Sequence, residues 1–321
     1  MIAALTQAVA ALQGWIFEMA VQPLFFQLDL MAYAEDAYEA IGTALIGTLE
    51  IGLLVALLKP LEALRPVERW SDRRAVRADV IYTWLHRQGV LPLLIFLLLV
   101  TPVTAFDAWL RMHDLVRPNI EDLVPGVTRN GLAAFLIAVV VIDFVEYGMH
   151  RLQHSFNWWW ALHSLHHSQR QMSFWTDDRN HLLDDVLTSA VVALVALAIG
   201  VPSTQFATII IATRMIESLS HVNSRVDFGW LGNRLLVSPL FHRRHHAVGT
   251  GHEGRYRGVN FATLFPLWDM LFRTADFTPG YASTGIRDQL EGRDYGSGFW
   301  RQQWLGLKRL GSALRSQPHH S

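Results

Sequence analysis

The chain contains no cysteine among its 321 residues. This absence excludes disulfide bonds, thiolate zinc sites, iron–sulfur clusters and thiolate-ligated haem. Histidine and carboxylate side chains are therefore the available metal ligands. Charged residues are also scarce, at 17% of the chain, against about 25% in an average soluble domain. The net charge of −1 gives no indication of a nucleic-acid partner. With 51% hydrophobic residues, this composition favours a membrane protein over a soluble globule.

Several apolar stretches approach the length of about 20 residues that a membrane-spanning helix needs. They are residues 41–58, 90–106, 131–149 and a pair of shorter segments, 186–201 and 204–219. Because little more than Pro202 separates the two short segments, they are predicted to form a helical hairpin that enters the membrane and returns. Polar residues interrupt a further segment, 2–26, which we expect in the membrane interface or inside a bundle. It lacks a basic N-terminal region, so it is not interpreted as a signal peptide.

The basic residues of the loops predict an orientation. The loop after residue 58 is rich in them, with Lys59, Arg65, Arg69, Arg73, Arg74, Arg77 and Arg87. The loop 107–130 has Arg111, Arg117 and Arg129. Because cytoplasmic loops carry the excess of lysine and arginine, the first loop is predicted to be cytoplasmic. Following the chain through the later segments then places every histidine cluster on that same cytoplasmic face.

The histidines are the most informative residues that the chain does contain. Ten of the 15 lie between His150 and His246. They are His150, His154, His163, His166, His167, His181, His221, His242, His245 and His246. Spacings of three and four place imidazoles on one face of a helix. A lone HxxxH is weak evidence, but two HxxHH copies and one HxxxH predict metal binding, and ten imidazoles exceed the needs of one ion.

These motifs carry a resemblance to a known family. The matching stretches are Asp143 with Glu146 to His154, Leu162 to Ser168, Arg179 to His181, Ser220 to Asn223, Ser238 to His246, Asn260-Phe261 and Leu267 to Thr274. In their order and combination, they resemble the fatty acid hydroxylase and sterol desaturase superfamily of integral-membrane di-iron oxidases. The resemblance implies that the ten histidines are ligands of two Fe ions and that O2 is the co-substrate. The chain departs from the pattern after His181, at Ala262 and at Arg273, which stands where glycine is usual.

Residues near the histidines are candidates to orient them, because a ligating imidazole normally donates its other N–H to a carboxylate or carbonyl. The acidic candidates are Asp143, Asp177, Asp178, Asp184, Asp185, Glu217 and Asp269, and Asn223 joins them through the resemblance. Asp143 and Glu217 lie at the ends of apolar segments, where an acid without a partner is costly. No catalytic residue is predicted beyond the metal centre itself.

The predicted fold class is all-α, a polytopic membrane helical bundle with a cytoplasmic histidine-rich helical cap. Residues 1–130 are interpreted as N-terminal membrane helices and residues 131–275 as the di-iron domain. Residues 276–321 form a C-terminal tail. In that tail Trp300, Trp304 and later leucines recur at helical spacing, which is typical of an interfacial helix. A solvated, partly helical tail is the alternative.

The function expected from the sequence is that of a membrane-bound di-iron oxygenase that hydroxylates or desaturates a C–H bond of a membrane lipid. The motifs do not separate the two outcomes. Because no haem or flavin domain is recognised, an external electron donor, a separate reductase or electron carrier, is expected. The location would be a bacterial inner membrane or an ER-like membrane. Two alternatives stay open: a divalent-metal-binding protein such as a zinc transporter, and a metal-dependent lipid hydrolase.

Overall fold

The fold, seen in a computed structural model that describes residues 2–70, 72–115, 131–199 and 203–315, is built of helices joined by loops. Within these ranges there is no β-strand, only an isolated bridge between Ala247 and Thr284, so the all-α prediction is confirmed. A π-helical turn, Phe17–Val21, joins the first two helices. The helices are α1 (Ile2–Ile16), α2 (Gln22–Gln27), α3 (Ala34–Leu64), α4 (Arg73–Arg87), α5 (Val90–Met112), α6 (Gly131–Ser155), α7 (Asn157–His167), α8 (Leu182–Ala198), α9 (Ser203–Ser220), α10 (Gly229–Leu235), α11 (Pro239–His245), α12 (Leu267–Leu271), α13 (Arg287–Leu290) and α14 (Phe299–Arg315).

Four helical segments are long and apolar enough to cross a membrane: Thr6–Gln27, Met31–Leu64, Val90–Met112 and Gly131–Ser155. Three of them contain the predicted spans, and the fourth is the N-terminal segment. The hairpin arms α8 and α9 have 17 and 18 residues and are not among these candidates. The outward surfaces of the long helices are apolar, as hydrocarbon requires; Leu98 on α5, for instance, is 63% exposed.

The predicted orientation used Arg117 and Arg129, which lie outside the described residues, as does Pro202, at which the sequence predicts the turn of the hairpin. The side of the membrane on which each helix end lies is therefore a prediction still.

One apolar core fixes the helices that carry the histidines. Ala138 and Ile142 of α6, Trp159 of α7, Val192 of α8 and Ile209 of α9 are buried against one another. Because interiors pack as closely as organic crystals, this cluster holds the four helices in a defined arrangement. The ends of α6 and α9 and the whole of α7 are thereby positioned beside each other.

Buried ion pairs hold the segment between α7 and α8. Arg87, at the end of α4, has a fully buried side chain and contacts Asp177 at 3.0 Å, Asp178 at 3.1 Å and Glu50 at 3.6 Å. A single guanidinium thus joins α3, α4 and the segment that leads into α8. Breaking a buried pair of this kind costs about 3–5 kcal/mol because the remaining charge is left without a partner.

The C-terminal segment forms a continuous helix, α14, that docks onto the histidine-bearing region. Gln303 donates from its Nε2 to the hydroxyl of Tyr82 at 2.8 Å, and Arg309 donates from its Nε to the carbonyl of Ala161 on α7 at 3.1 Å. On its other face Trp300 and Trp304 are 78% and 58% exposed. One face of α14 is therefore structural, and the exposed tryptophans have the character of interfacial residues.

Candidate metal centre

Nine of the ten predicted ligands converge into two buried groups. The first group is His150, His154, His163, His167 and His245. The second group is His166, His221, His242 and His246. Within each group, one ring nitrogen of every residue lies within 4.8 Å of the corresponding nitrogen of every other residue.

The three histidines of each HxxHH motif are divided between the two groups. On α7, His163 and His167 belong to the first group and His166 to the second. On α11 and at its C-cap the assignment is reversed, because His242 and His246 belong to the second group and His245 to the first. Residues three and four along from a given residue lie on the same helix face, but to either side of it, because successive residues are about 100° apart. Each motif therefore contributes to both groups, and the two groups lie side by side.

Hydrogen bonds fix the orientation of several of these rings. Each such ring has its Nδ1 within hydrogen-bond distance of an oxygen that can only accept, so Nδ1 carries the proton. These bonds join His150 to the carbonyl of Phe261 at 2.7 Å, His154 to that of Arg257 at 3.1 Å, His221 to that of Glu217 at 2.8 Å, His245 to that of Val259 at 2.7 Å and His163 to a carboxylate oxygen of Asp184 at 3.1 Å. The Nε2 atom of each of these neutral rings is then unprotonated and carries a free lone pair.

Within each group, Nε2 atoms of the clustered histidines lie close to one another. The distances are 3.1 Å between His154 and His167, 3.2 Å between His163 and His167, 2.9 Å between His221 and His242, 3.2 Å between His166 and His221, and 3.1 Å between His242 and His246. Each of these pairs includes a ring whose Nδ1 has no hydrogen-bond partner among the described residues, namely His166, His167, His242 or His246. With its proton on Nδ1 such a ring leaves Nε2 free, and a cation between the Nε2 atoms would bind their lone pairs, because neutral imidazole is a common ligand of iron, copper and zinc.

Burial keeps these imidazoles neutral. It lowers the pKa of His166, His167, His242, His245 and His246 well below the ordinary value of 6.5, and neighbouring histidines lower it further. A neutral ring is the form that binds a metal ion. The residues present therefore fit two metal ions, with five and four nitrogen ligands available.

Asp184 is a carboxylate partner of a histidine, as the sequence predicts. Besides His163 it accepts hydrogen bonds from Gln153 at 2.9 Å and from the indole of Trp159 at 2.7 Å. Asp177, another of the acidic candidates, lies 3.5 Å from Nδ1 of His221. Such carboxylates orient a metal-ligating imidazole and increase its basicity.

Two other predicted partners support the centre at a distance. Asp143 accepts hydrogen bonds from the backbone N–H of Leu264 at 2.9 Å and from the indole of Trp268 at 2.7 Å. It thereby holds the loop that begins at Phe261, whose carbonyl orients His150. Glu217 orients His221 through its backbone carbonyl.

For Asp185 and Asn223 the predicted role needs correction, because their side chains have other partners. Asp185 lies 3.3 Å from Nε2 of His86. The side-chain oxygen of Asn223 accepts from the backbone N–H groups of Val67 and Glu68, each at 3.2 Å. Asn223 therefore fixes the segment after α3, and in the described part of the chain its side chain forms no hydrogen bond with any of the nine histidines.

The assignment of His181 as a ligand also needs correction. His181 is the N-cap of α8, where its Nδ1 accepts from the backbone N–H of Leu183 at 3.1 Å. Its Nε2 donates to the carbonyl of Gln303 on α14 at 2.9 Å. A Cβ atom at Gly306 would lie 2.2 Å from the His181 ring, so the absence of a side chain there allows the contact. Both ring nitrogens are occupied, which leaves none for a metal.

Sequence reasoning missed His252, which was expected to be exposed or structural. Its ring lies 4.6 Å from that of His167 and 5.1 Å from that of Trp160. Its Nε2 donates to the carbonyl of Gly285 at 3.1 Å, and burial lowers its pKa to about 4. His252 is thus a neutral neighbour of the first group. A lone histidine outside any motif gave no signal of this position.

A cavity of about 780 Å³ adjoins both groups. Its apolar wall includes Phe96, Leu99 and Val103 of α5 and Val192 of α8. The volume is in the range of pockets that bind drug-sized ligands. Since α5 is one of the candidate membrane helices, the cavity leads from the histidines into the apolar part of the fold. The imidazoles in its wall are His86 and five clustered histidines: His150, His163, His166, His221 and His242.

Comparison with known families agrees with this geometry. The family model described as fatty acid hydroxylase matches residues 135–274, which contain all nine clustered histidines. This part of the chain is similar to the fatty acid hydroxylase family. With its four apolar helices, the fatty acid hydroxylase-like chain is an integral membrane protein.

Curated relatives of the chain act on lipids, according to their names. Ornithine lipid hydroxylase OlsE of Rhizobium tropici is 29% identical over 47% of this chain and 44% of its own length. Alkylglycerol monooxygenases of Danio rerio and Homo sapiens are 28% and 27% identical, each over 43% of this chain and 29% of its own length. The chain therefore spans less than half of these relatives. No solved structure matches it.

Proposed function

We propose that this protein is a membrane-bound di-iron oxygenase that uses O2 to hydroxylate a C–H bond of a lipid. One observation carries the proposal: two all-histidine groups share a cavity with the apolar side chains of a membrane helix. The names of the relatives, a lipid hydroxylase and alkylglycerol monooxygenases, favour hydroxylation over desaturation.

The nine clustered histidines would hold two Fe ions, which supply the activation of O2 with electrons from a separate reductase or carrier. The residues of this chain prepare that site. Hydrogen bonds from Nδ1 to fixed carbonyls aim the Nε2 lone pairs of His150 and His245 inward. The apolar wall formed by α5 binds the lipid chain and excludes water from the C–H bond.

The test compares lipid extracts from cells that produce the wild-type protein or the His245→Ala variant under isotopically labelled O2. The expected product carries one added oxygen atom that derives from O2, and the variant should not form it. Loss of two hydrogen atoms instead would indicate desaturation. Purified protein that contains zinc, forms no oxidised lipid and consumes no O2 would contradict the proposal in favour of transport or hydrolysis.

The proposal includes a cytoplasmic metal site in a bacterial inner membrane or an ER-like membrane. Because the chain has no cysteine, single cysteines can report its orientation cleanly. A cysteine at exposed Arg255, in the loop beside the first group, should react with a membrane-impermeant maleimide only after the membrane is permeabilised. Labelling of intact cells at this position would place the site on the opposite face.

A further inference from the structure

One loop presents three backbone carbonyls to the first histidine group. The loop of residues 257–261 lies between α11 and α12, and we refer to it as the carbonyl loop. Its carbonyls at positions 257, 259 and 261 accept the Nδ1 hydrogen bonds of His154, His245 and His150, at 3.1 Å, 2.7 Å and 2.7 Å. Two of these histidines lie on α6 and one on α11. One short loop therefore sets the orientation of three rings that come from two helices.

The backbone of the carbonyl loop has an uncommon conformation. Arg257, Gly258 and Asn260 have φ values of 55°, 146° and 58°. Asparagine adopts the left-handed region more readily than most other L-residues. A Cβ atom at Gly258 would lie 2.5 Å from the carbonyl oxygen of Gly251, so both the φ value and the available space require glycine there. The residue types at positions 258 and 260 therefore match the conformation that presents the carbonyls.

The side chain of Asn260 holds the carbonyl loop against its surroundings. Asn260 is fully buried. Its Nδ2 donates to the carbonyl of Phe241 at 2.9 Å and to that of Asp276 at 3.0 Å, and its Oδ1 accepts from the backbone N–H of Asp276 at 2.6 Å. In the described part of the chain it forms no hydrogen bond with a clustered histidine. Because Phe241 lies on α11, Asn260 ties the loop to the helix that carries His245.

Asp269, one of the acidic candidates, holds the end of the carbonyl loop. It accepts hydrogen bonds from the backbone N–H groups of Phe261 at 2.9 Å and Ala262 at 2.8 Å. The N–H of Ala262 and the carbonyl of Phe261 belong to one planar peptide group. The bond to Asp269 therefore fixes the direction of the carbonyl to which His150 donates. The carboxylate of Asp269 acts on the His150 ring through this peptide group.

The second group has fewer fixed rings. His221 donates from Nδ1 to the carbonyl of Glu217 at 2.8 Å. Among the described residues, Nδ1 has no hydrogen-bond partner in the other three rings of this group: His166, His242 and His246. A neutral ring without an acceptor at Nδ1 can carry its proton on Nε2 instead, and it must leave that tautomer before Nε2 can bind a metal ion.

The first group shows the opposite distribution. The carbonyl loop and Asp184 fix the Nδ1 proton of four of its five rings: His150, His154, His163 and His245. His167 is the ring whose Nδ1 lacks a partner in the described part of the chain. At His150 and His245 the buried atom without a partner there is Nε2. That atom is the one with the free lone pair, so these rings are prepared for a metal ion before it binds.

We infer that the carbonyl loop gives the first group a higher metal affinity than the second, and that Asn260 is a positioning residue for the metal of the first group. This inference rests on the two-metal site of the proposed function. Partners that orient an imidazole and increase its basicity typically contribute about 10- to 100-fold to metal affinity. The first group therefore loads first, and the ion of the second group is released more readily.

The experiment withdraws metal from the purified, full-length protein in detergent. The protein is loaded with zinc, which binds imidazole and undergoes no redox change, and is equilibrated with increasing concentrations of a chelator. Elemental analysis measures the zinc that remains per chain. The wild-type protein should lose its ions in two steps, separated by at least about 10-fold in free zinc concentration. His246→Ala should weaken the weaker step, and His154→Ala the tighter one.

Asn260→Gly tests the positioning role, because glycine keeps the positive φ without strain and removes only the side-chain hydrogen bonds. This variant should weaken the tighter step by at least about 10-fold and leave the weaker step unchanged. A merely structural role would lower both steps together. If Asn260→Gly does not fold, Asp269→Asn removes one acceptor oxygen from the end of the loop and should weaken the same step alone.

Asn223→Gly is the matched control. Asn223 is also buried, and its side chain forms three hydrogen bonds with Val67 and Glu68. Its loss should leave the tighter step unchanged. Release of both ions in one step from the wild-type protein overturns the inference. So does a weakened tighter step in His246→Ala, equal weakening of both steps in the loop variant, or an equal effect of Asn223→Gly on the tighter step.

The result of the zinc titration is separable from the test of the proposed function. Oxidised lipid formed by a protein that releases both ions in one step would overturn the inference and leave the oxygenase proposal intact. Ordered release from a protein that incorporates no oxygen would support the inference and contradict the oxygenase proposal.

Discussion

Nδ1 of His163 donates a hydrogen bond to Oδ2 of Asp184 at 3.1 Å. Nε2 of the same ring faces Nε2 of His167 at 3.2 Å. Gln153 and Trp159 donate to the other carboxylate oxygen, so the position of Asp184 is fixed from three sides. The first turn of α8 therefore controls the orientation of a ring on α7.

Replacing Asp184 with asparagine should weaken metal binding by about 10- to 100-fold, because the ring of His163 loses the carboxylate that orients it and increases its basicity. A competition titration with a chelator measures this change. Asp185→Asn is the matched control, since Asp185 faces His86 rather than a clustered histidine. Equal metal affinity in the two variants would contradict the role of Asp184.

His245→Ala and His181→Ala should differ in metal content. His245 belongs to the first group, so its loss should lower the bound metal per chain and abolish formation of oxidised lipid. His181 caps α8, so its loss should leave the metal content unchanged and lower the free energy of unfolding by about 1 kcal/mol. Elemental analysis and denaturant unfolding in detergent measure the two effects. A lower metal content in the His181→Ala variant would indicate that His181 is a metal ligand.

Acidification should release the metal and destabilise the protein. The pKa values of His166, His242 and His246 lie below their ordinary value of 6.5 in the folded chain. Below about pH 6.5 the unfolded chain therefore binds more protons than the folded one, and the free energy of unfolding falls as pH decreases. The raised pKa of Asp185 acts in the opposite sense. Metal retention and unfolding measured between about pH 7.5 and pH 5 test this, and constant retention would contradict it.

Arg273→Gly should raise the free energy of unfolding by about 0.5–1 kcal/mol. Arg273 has a φ of 60°, a left-handed conformation that costs an L-residue energy and glycine almost none. Its position is the one at which the sequence analysis noted that glycine is usual. Arg255, in an exposed turn without positive φ, is the control, and Arg255→Gly should not stabilise the protein. Denaturant unfolding in detergent measures both changes.

Much of the architecture could be predicted from the sequence because it depends on local pattern. The apolar stretches at 41–58, 90–106 and 131–149 lie within long helices, since hydrophobic length is a property of the segment alone. The HxxHH spacing likewise predicts shared helix faces. Asp184 was chosen for its position near a motif histidine in the sequence, although the ring that it contacts is that of His163.

The errors arose where the partner is distant along the chain. His181 follows a motif and was assigned as a ligand, yet Gln303 of α14 occupies its Nε2. Asn223 was assigned to the site, yet Val67 and Glu68 hold its side chain. No local spacing encodes contacts between residues more than 100 positions apart.

The sequence by itself determined which side chains are available: no thiolate, many imidazoles, and helices apolar enough for a membrane. Only the tertiary structure decided how they are divided, with His163 and His167 in one group and His166 in the other. It also decided which rings have a free nitrogen. The physical reason is that the supply of ligands and the formation of helices depend on composition and periodicity. Which nitrogen atoms come close enough to bind one metal ion depends instead on how separate helices pack.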